Sequence, residues 1–279
     1  MKYIVPAKRI SNASESTQEL PLRDAHGNEY LAVAPRGYKI LGFFNRGGEC
    51  FATEVVHEKS RQHRILKNYI EKTQWTWCNV VEVEGMLLDP FVRRTPVSVP
   101  KIYDAGMECG RYNYVIEEKR YGVRLTEEVL ASLPKKKKIA VIDCLADFLY
   151  SLHNMKQAKD RHVLLRKFSS SPGNMGKYEA LAPLARAFPR GAPATVVHGD
   201  FFPKNILFNE LKGGEIAISA IDWGGSAESD ISYDFISMAG KAEVREIEGR
   251  NPNEIDFEYF TSKTVELIAK AYVRAGGGR

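Results

Sequence analysis

No run of apolar residues in the 279-residue chain approaches the roughly 18 that a membrane span requires, so no transmembrane segment is expected. The first ten residues hold a single short apolar stretch, 3–6, between Lys2 and Lys8, too little for the core of a secretory signal. Cysteine is sparse: Cys50, Cys78, Cys109 and Cys144 lie 28, 31 and 35 residues apart with no Cys-x-x-Cys pair. That spacing reads as four reduced thiols in a reducing compartment, by default the cytoplasm, and not as a disulfide framework. Charge of one sign is also modest. Forty Lys and Arg against 35 Asp and Glu leave +5, short of a dedicated nucleic-acid binder, so no specific nucleic-acid partner is expected. The balance admits an anionic ligand and disfavours a polycationic one. There is no internal repeat, and the only biased tract is the four lysines at 135–138, read as a solvated face or as a patch for an anionic surface.

What is present is apolar mass, 44% of residues, enough to offset chain entropy and fold. At about 150 residues per domain the length suits one large unit or two lobes. Residues 1–20 are polar and read as an arm. Turn chemistry at 24–28 and an apolar stretch at 30–33 suggest an extra hairpin. Stretches 38–44, 51–57 and 63–69, joined by short polar turns, predict an antiparallel meander. Residues 76–88 carry helical spacing, and 101–105 and 111–117 predict two further strands around a turn. Beyond Gly122 the pattern turns helical. Val141, Ile142, Leu145, Phe148, Leu149, Leu152 and Met155 line one face of a predicted helix over 136–155. Short β runs follow at 196–200, 206–208 and 216–221, and an amphipathic tail over 256–273 has Phe257, Phe260, Leu267, Ile268 and Ala271 on one side. A small α+β lobe precedes a mostly helical one. The expected division is an arm with a possible hairpin over 1–37, a first lobe with its connector over 38–118, and a second lobe over 119–279.

Chemistry concentrates in His198-Gly199-Asp200-Phe201-Phe202-Pro203-Lys204-Asn205-Ile206-Leu207, followed by Ile221-Asp222-Trp223-Gly224. Asp200 ends a β run in a loop, Asn205 opens the next strand, and Asp222 ends the strand that pairs with it across a hairpin. All three can converge. Two carboxylates and an amide oxygen are hard ligands suited to Mg²⁺ and not to zinc or iron. Phosphoryl transfer asks for this set: a metal to gather phosphate oxygens and a group to take the proton of an attacking hydroxyl.

On these residues the sequence resembles the aminoglycoside phosphotransferase and choline kinase branch of the protein-kinase-like fold. In that branch the catalytic loop reads His-Gly-Asp-x₄-Asn and the metal motif is Ile-Asp followed by an aromatic residue. The resemblance is specific at 198–207 and 220–224 and spans about 38–238 in order of elements. It implies Asp200 as catalytic base, Asn205 and Asp222 as Mg²⁺ ligands, Asp234 as a brace for the catalytic loop and His198 as an orienting residue. It also implies ATP as phosphate donor and a small-molecule hydroxyl as acceptor. A kinase needs a cation on the nucleotide phosphates, and Lys67, on the third strand of the meander, fits that role. Its acidic partner is sought on the next helix. Glu84 shares a face with Val80, Val81, Leu87 and Leu88 and is preferred to Glu82. Gly47 and Gly48, between the first two meander strands, stand where a phosphate-covering loop belongs, although they depart from Gly-x-Gly-x-x-Gly. The connector 115–122, with Glu118 in its middle, resembles the hinge that reads adenine through its backbone.

The acceptor is expected to be neutral or anionic. Family resemblance alone points to aminoglycosides, which are polycations, yet residues 156–195 carry eight cations against two anions, Asp160 and Glu179. The rival readings are a Ser/Thr protein kinase, a kinase of lipopolysaccharide or lipid-linked sugars, and an inactive kinase-like scaffold. Against a protein kinase, no lysine stands two residues after Asp200 and no Ala-Pro-Glu segment follows Asp222.

Overall fold

The computed structural model describes residues 18–23, 29–46, 50–69, 97–108, 111–154, 166–167, 179–188, 194–223, 227–239 and 259–277. The chain divides into two compact units, Met1–Trp77 with Pro100–Lys119, and Cys78–Val99 with Arg120–Arg279.

In the first unit β1 (Gln18–Arg23) and β2 (Glu29–Ala34) form an antiparallel hairpin, with Leu20 opposite Ala32. The strand begins at Gln18, inside the stretch that reads as a polar arm. Pairing with β2, not local periodicity, makes it a strand. The expected meander follows as β3 (Tyr38–Arg46), β4 (Cys50–His57) and β5 (His63–Tyr69). The chain then gives a two-residue strand, β6 (Val97–Ser98), to the second unit and returns as β7 (Ile102–Glu108) and β8 (Arg111–Glu118). The resulting five-stranded sheet runs β3-β4-β5-β8-β7.

Alternation along the strands sorts its two faces. Tyr38, Ile40, Val55, Leu66, Tyr114 and Ile116 join Ala32 and Ala34 of β2 in one buried cluster. Asn68 pins the hairpin to this face. Its Oδ1 accepts the Val33 N–H at 3.3 Å and its Nδ2 donates to the Val33 carbonyl at 3.0 Å, so one carboxamide serves β2 as a neighbouring strand would. Register puts Ala52, Lys67 and Val115 in a row, and Lys67 leaves the sheet on the face opposite to Asn68.

The second unit resumes at Arg120, and two residues on Gly122 has a φ of +149°. A Cβ there would meet the Phe208 carbonyl oxygen at 2.6 Å, so only glycine passes. Next come β9 (Val123–Arg124), α1 (Glu127–Ser132) and the 19-residue α2 (Lys135–His153). Helix α2 has no side-chain cap and four lysines at its positive end, each unfavourable by roughly 0.3–1 kcal/mol against the helix dipole. Lys137 offsets part of this through an ion pair with Glu210 at 2.5 Å. The helix persists because Val141, Ile142, Leu145, Phe148, Leu149 and Leu152 are buried, as their spacing predicts. Each large apolar side chain so buried contributes about 1.5–3 kcal/mol, which outweighs the poor helix start.

Further along lie β10 (Arg166–Lys167), α3 (Ala182–Ala187), β11 (Ala194–Val197), β12 (Ile206–Glu210), β13 (Ile216–Ala220), β14 (Ala227–Asp230), α4 (Ser232–Met238) and α5 (Ser262–Tyr272). Two small sheets result, β6-β13-β12-β9 and β10-β14-β11. Helix α5 buries Val265, Ile268, Ala269, Ala271 and Tyr272. Leu267, expected on that face, is 37% exposed, because one residue before Ile268 is a rotation of about 100° off the stripe. No helix of the described residues is long and apolar enough to cross a membrane.

Candidate active site

The loop after β11 is held by its backbone. Gly199 has φ +79°, a left-handed turn that glycine takes without strain, and it aims the N–H groups of His198 and Gly199 at one carboxylate. Asp234, wholly buried in the first turn of α4, accepts both, each at 2.9 Å. A third contact comes from His153 at the end of α2, whose Nε2 lies 3.1 Å from Asp234 Oδ2. His153 Nδ1 in turn meets the Tyr272 hydroxyl of α5 at 3.1 Å. Burial, with Tyr150, Asp234 and Asp230 nearby, raises the Tyr272 pKa well above its ordinary value, so the phenol keeps its proton. The Asp234 carboxylate accepts from His153 Nε2–H. Three helices thus brace one loop.

His198 is an orienting core residue, as expected. Its ring is buried against Trp223 and Phe201, at centroid distances of 4.3 and 5.4 Å. Nδ1 accepts the Asp200 N–H at 3.3 Å, which leaves the proton on Nε2, donated to the Ile221 carbonyl at 3.2 Å. Both ring nitrogens are thus hydrogen-bonded to the backbone of the loop and of Ile221.

A short turn, Pro203–Asn205, follows Asp200 and brings Asn205 back onto it. Asn205 Nδ2 donates to the Asp200 carbonyl at 2.8 Å and to Asp200 Oδ2 at 2.7 Å. This fixes the amide orientation and turns Oδ1 away from the Asp200 carboxylate. The β12–β13 register pairs Ile206 with Ala220, and the Ile221 N–H donates to the Asn205 carbonyl at 2.9 Å. Asp222 therefore follows directly beside Asn205. Its φ of +64° is rare for a residue with a side chain. Asp200 and Asn205 meet through these bonds, and Asp222 follows the residue that bonds the Asn205 backbone. An amide oxygen and a carboxylate are an oxygen donor set that fits a hard divalent cation sharing phosphate ligands. Among the described residues no cluster of three His, Cys, Asp or Glu side chains forms.

A residue that spacing does not flag completes the group. Lys204 Nζ stands 3.9 Å from Asp200 Oδ2, and the two side chains are 28% and 29% exposed. The signal was there to be read: a lysine four residues after Asp200, inside a turn too short to carry it away.

In the first unit Lys67 Nζ pairs with Glu117 Oε2 at 3.2 Å. The acid on Lys67 among the described residues is thus on β8, where register sets Val115 opposite Lys67 and places Glu117 diagonally on the same face. The preferred partner Glu84, its rival Glu82, and Gly47 and Gly48 lie outside the described residues. Glu118, at the end of β8, gives its N–H to the Lys101 carbonyl at 2.8 Å. In the second unit the Cys144 thiol is pushed up in pKa by burial, with Asp147 and Asp143 adding to it, and stays protonated.

The fold has counterparts among solved structures. A gentamicin complex of APH(2'')-IIa matches with a TM-score of 0.56 at 15% identity, over 87% of this chain and 78% of that one. The streptomycin–ATP ternary complex of the same phosphotransferase gives 0.55 at 15% identity, over 84% and 78%. ADP-bound aminoglycoside phosphotransferase APH(2'')-Ib gives 0.55 at 16%, over 86% and 79%. At these identities the likeness establishes the protein-kinase-like fold. No curated protein sequence matches the chain significantly. The family model for the phosphotransferase enzyme family matches residues 82–264, which contain the braced loop, Asn205, Asp222 and Asp234. Motif, bracing network and fold agree with that match, and the chain belongs to the phosphotransferase enzyme family.

Proposed function

We infer that this phosphotransferase moves the γ-phosphate of ATP onto a hydroxyl of a small molecule that is neutral or anionic. The observation that carries the reading is a partly exposed Asp200 carboxylate held by Asn205 on a loop braced by Asp234, with Asp222 next after Ile221, whose N–H bonds the Asn205 carbonyl. Asp200 accepts the proton of the acceptor hydroxyl. The acceptor oxygen forms a bond to the γ-phosphorus as the bond from that phosphorus to the bridging oxygen breaks, and ADP leaves with the electron pair. Asn205 Oδ1 and Asp222 are the residues that would hold Mg²⁺, which supplies neutralisation of phosphate charge. Lys67, with Glu117 beside it, is the cation for the nucleotide phosphates in this reading. Asn205 also orients Asp200 through its two amide hydrogen bonds.

Charge favours a non-cationic acceptor. The chain carries +5 overall, and a pocket for polyamines needs an excess of carboxylates. The gentamicin and streptomycin bound by the structural neighbours are therefore the comparison to beat. The test is transfer from labelled ATP, with and without Mg²⁺, to a panel of sugar phosphates, neutral sugars, nucleosides, acidic sugars and kanamycin. Magnesium-dependent transfer to the non-cationic members is expected. Kanamycin turnover with kcat/KM near about 10⁴ M⁻¹s⁻¹ or above, exceeding every other member, would restore the polycation reading. ATP binding without transfer to anything would favour the inactive scaffold.

A further inference from the structure

We propose that Lys204 is the acceptor-selecting cation of the site, and that the acceptor is an alcohol bearing a phosphate or carboxylate close to its reactive hydroxyl. The proposal rests on the reading of Asp200 as the base. Lys204 lies in the turn between that base and Asn205, and two bonds fix the local backbone: Phe202 N–H to the Asp200 carbonyl and Asn205 N–H to the Phe202 carbonyl, both 2.8 Å. The ammonium stands 5.3 Å from the Phe202 ring centroid, an attraction that orients it. Phe202 is itself buried edge-on against Tyr259 at 5.8 Å, so the ring that orients Lys204 cannot swing away. At 3.9 Å from Oδ2 the ammonium is beyond hydrogen-bond reach of the carboxylate and acts on it through charge.

Charge complementarity then selects the acceptor. A phosphate or carboxylate close to the reactive hydroxyl is drawn to the partly exposed Lys204 ammonium as that hydroxyl approaches Asp200. An ammonium group there has to approach Lys204 against like-charge repulsion. A neutral alcohol gains nothing from it.

The experiment uses the full-length protein and matched acceptor pairs differing in one anionic group: glycerol and glycerol 3-phosphate, glucose and glucose 6-phosphate, glucose and glucuronate, with kanamycin as the cationic member. Wild type, Lys204→Met, Lys204→Arg and Lys204→Glu are compared by kcat and KM for each. The expected result is a preference of at least about tenfold in kcat/KM for the anionic member of a pair. Lys204→Met erases the preference by lowering the anionic member more than its neutral twin, Lys204→Arg keeps most of it, and Lys204→Glu reverses it toward kanamycin. Thermal melts provide a readout apart from turnover: the anionic member raises the wild-type Tm more than its neutral twin, and Lys204→Met abolishes the difference. If Lys204→Met lowers every acceptor equally, or the neutral twin is preferred, the proposal falls and the non-cationic acceptor reading stands. If only kanamycin is turned over, both fall. No transfer to any anionic member overturns the proposal as well.

Discussion

Asparagine in place of Asp200 keeps the shape of the side chain and an oxygen to accept the Asn205 amide, but removes the group proposed as base. Turnover of Asp200→Asn should therefore fall by roughly 10²–10⁴, with nucleotide affinity nearly unchanged. Acceptor-dependent ADP release and calorimetric titration with nucleotide separate the two, and full turnover in the variant would place the base elsewhere. At this scale the Asp200–Asn205 contact was legible because one short loop carries both, and short-range spacing encodes it. The contact of Lys67 with Glu117 was not. Which carboxylate meets a strand lysine depends on inter-strand register, and Glu117 gains its place only from the pairing of β5 with β8. His153 was equally hidden: it continues the apolar stripe of α2 just after Leu152, and a histidine on such a stripe is informative only once its buried partner, Asp234, is known.

Elements act on the site as braces. Helices α2, α4 and α5 supply His153, Asp234 and Tyr272, and the chain of bonds ends on two backbone N–H groups of the loop after β11. Asp234→Ala leaves those two donors and the His153 Nε2–H buried without an acceptor, at about 1–3 kcal/mol each. Tyr272→Phe removes a single neutral bond worth about 1 kcal/mol. Urea unfolding should therefore show Asp234→Ala losing well over twice what Tyr272→Phe loses, with turnover collapsing in the first and only reduced in the second. Equal losses would mean that the chain of bonds does not bear on the loop. Periodicity revealed α2 and the β12–β13 hairpin almost to the residue. It misplaced Leu267 and the start of β1, since a helix face one residue wide and a strand made by its partner are both settled by packing.

For the molecule as a whole, both units carry a buried tyrosine that resists ionisation. Burial is the main cause at Tyr38, with Arg64 opposing it and Asp104 adding to it, and burial is again the main cause at Tyr272. A raised folded pKa contributes stability that is complete below the ordinary tyrosine value of about 10 and is lost as pH rises beyond it. The opposite sign holds for Glu54, held below the usual carboxylate range by hydrogen bonds from Lys119 and then His63. Its contribution is complete above the usual carboxylate value and lost as pH falls through the depressed one. Thermal melts should show a plateau between these limits with decline on both sides. Tyr38→Phe and Tyr272→Phe should each flatten the alkaline limb, and an alkaline limb identical to wild type in both would refute the assignment. The alternation of the two units along the chain has a practical side. Because β6 is contributed to the second unit from between two segments of the first, no single cut separates them. A fragment ending at Lys119 carries β6 without β13. The remainder loses the Ser98–Ser219 hydroxyl contact of 2.7 Å and bares the edge of β13 at Ile218 and Ser219, an open strand that invites pairing with a neighbouring copy. Dissected halves of this protein should therefore aggregate where the intact chain does not.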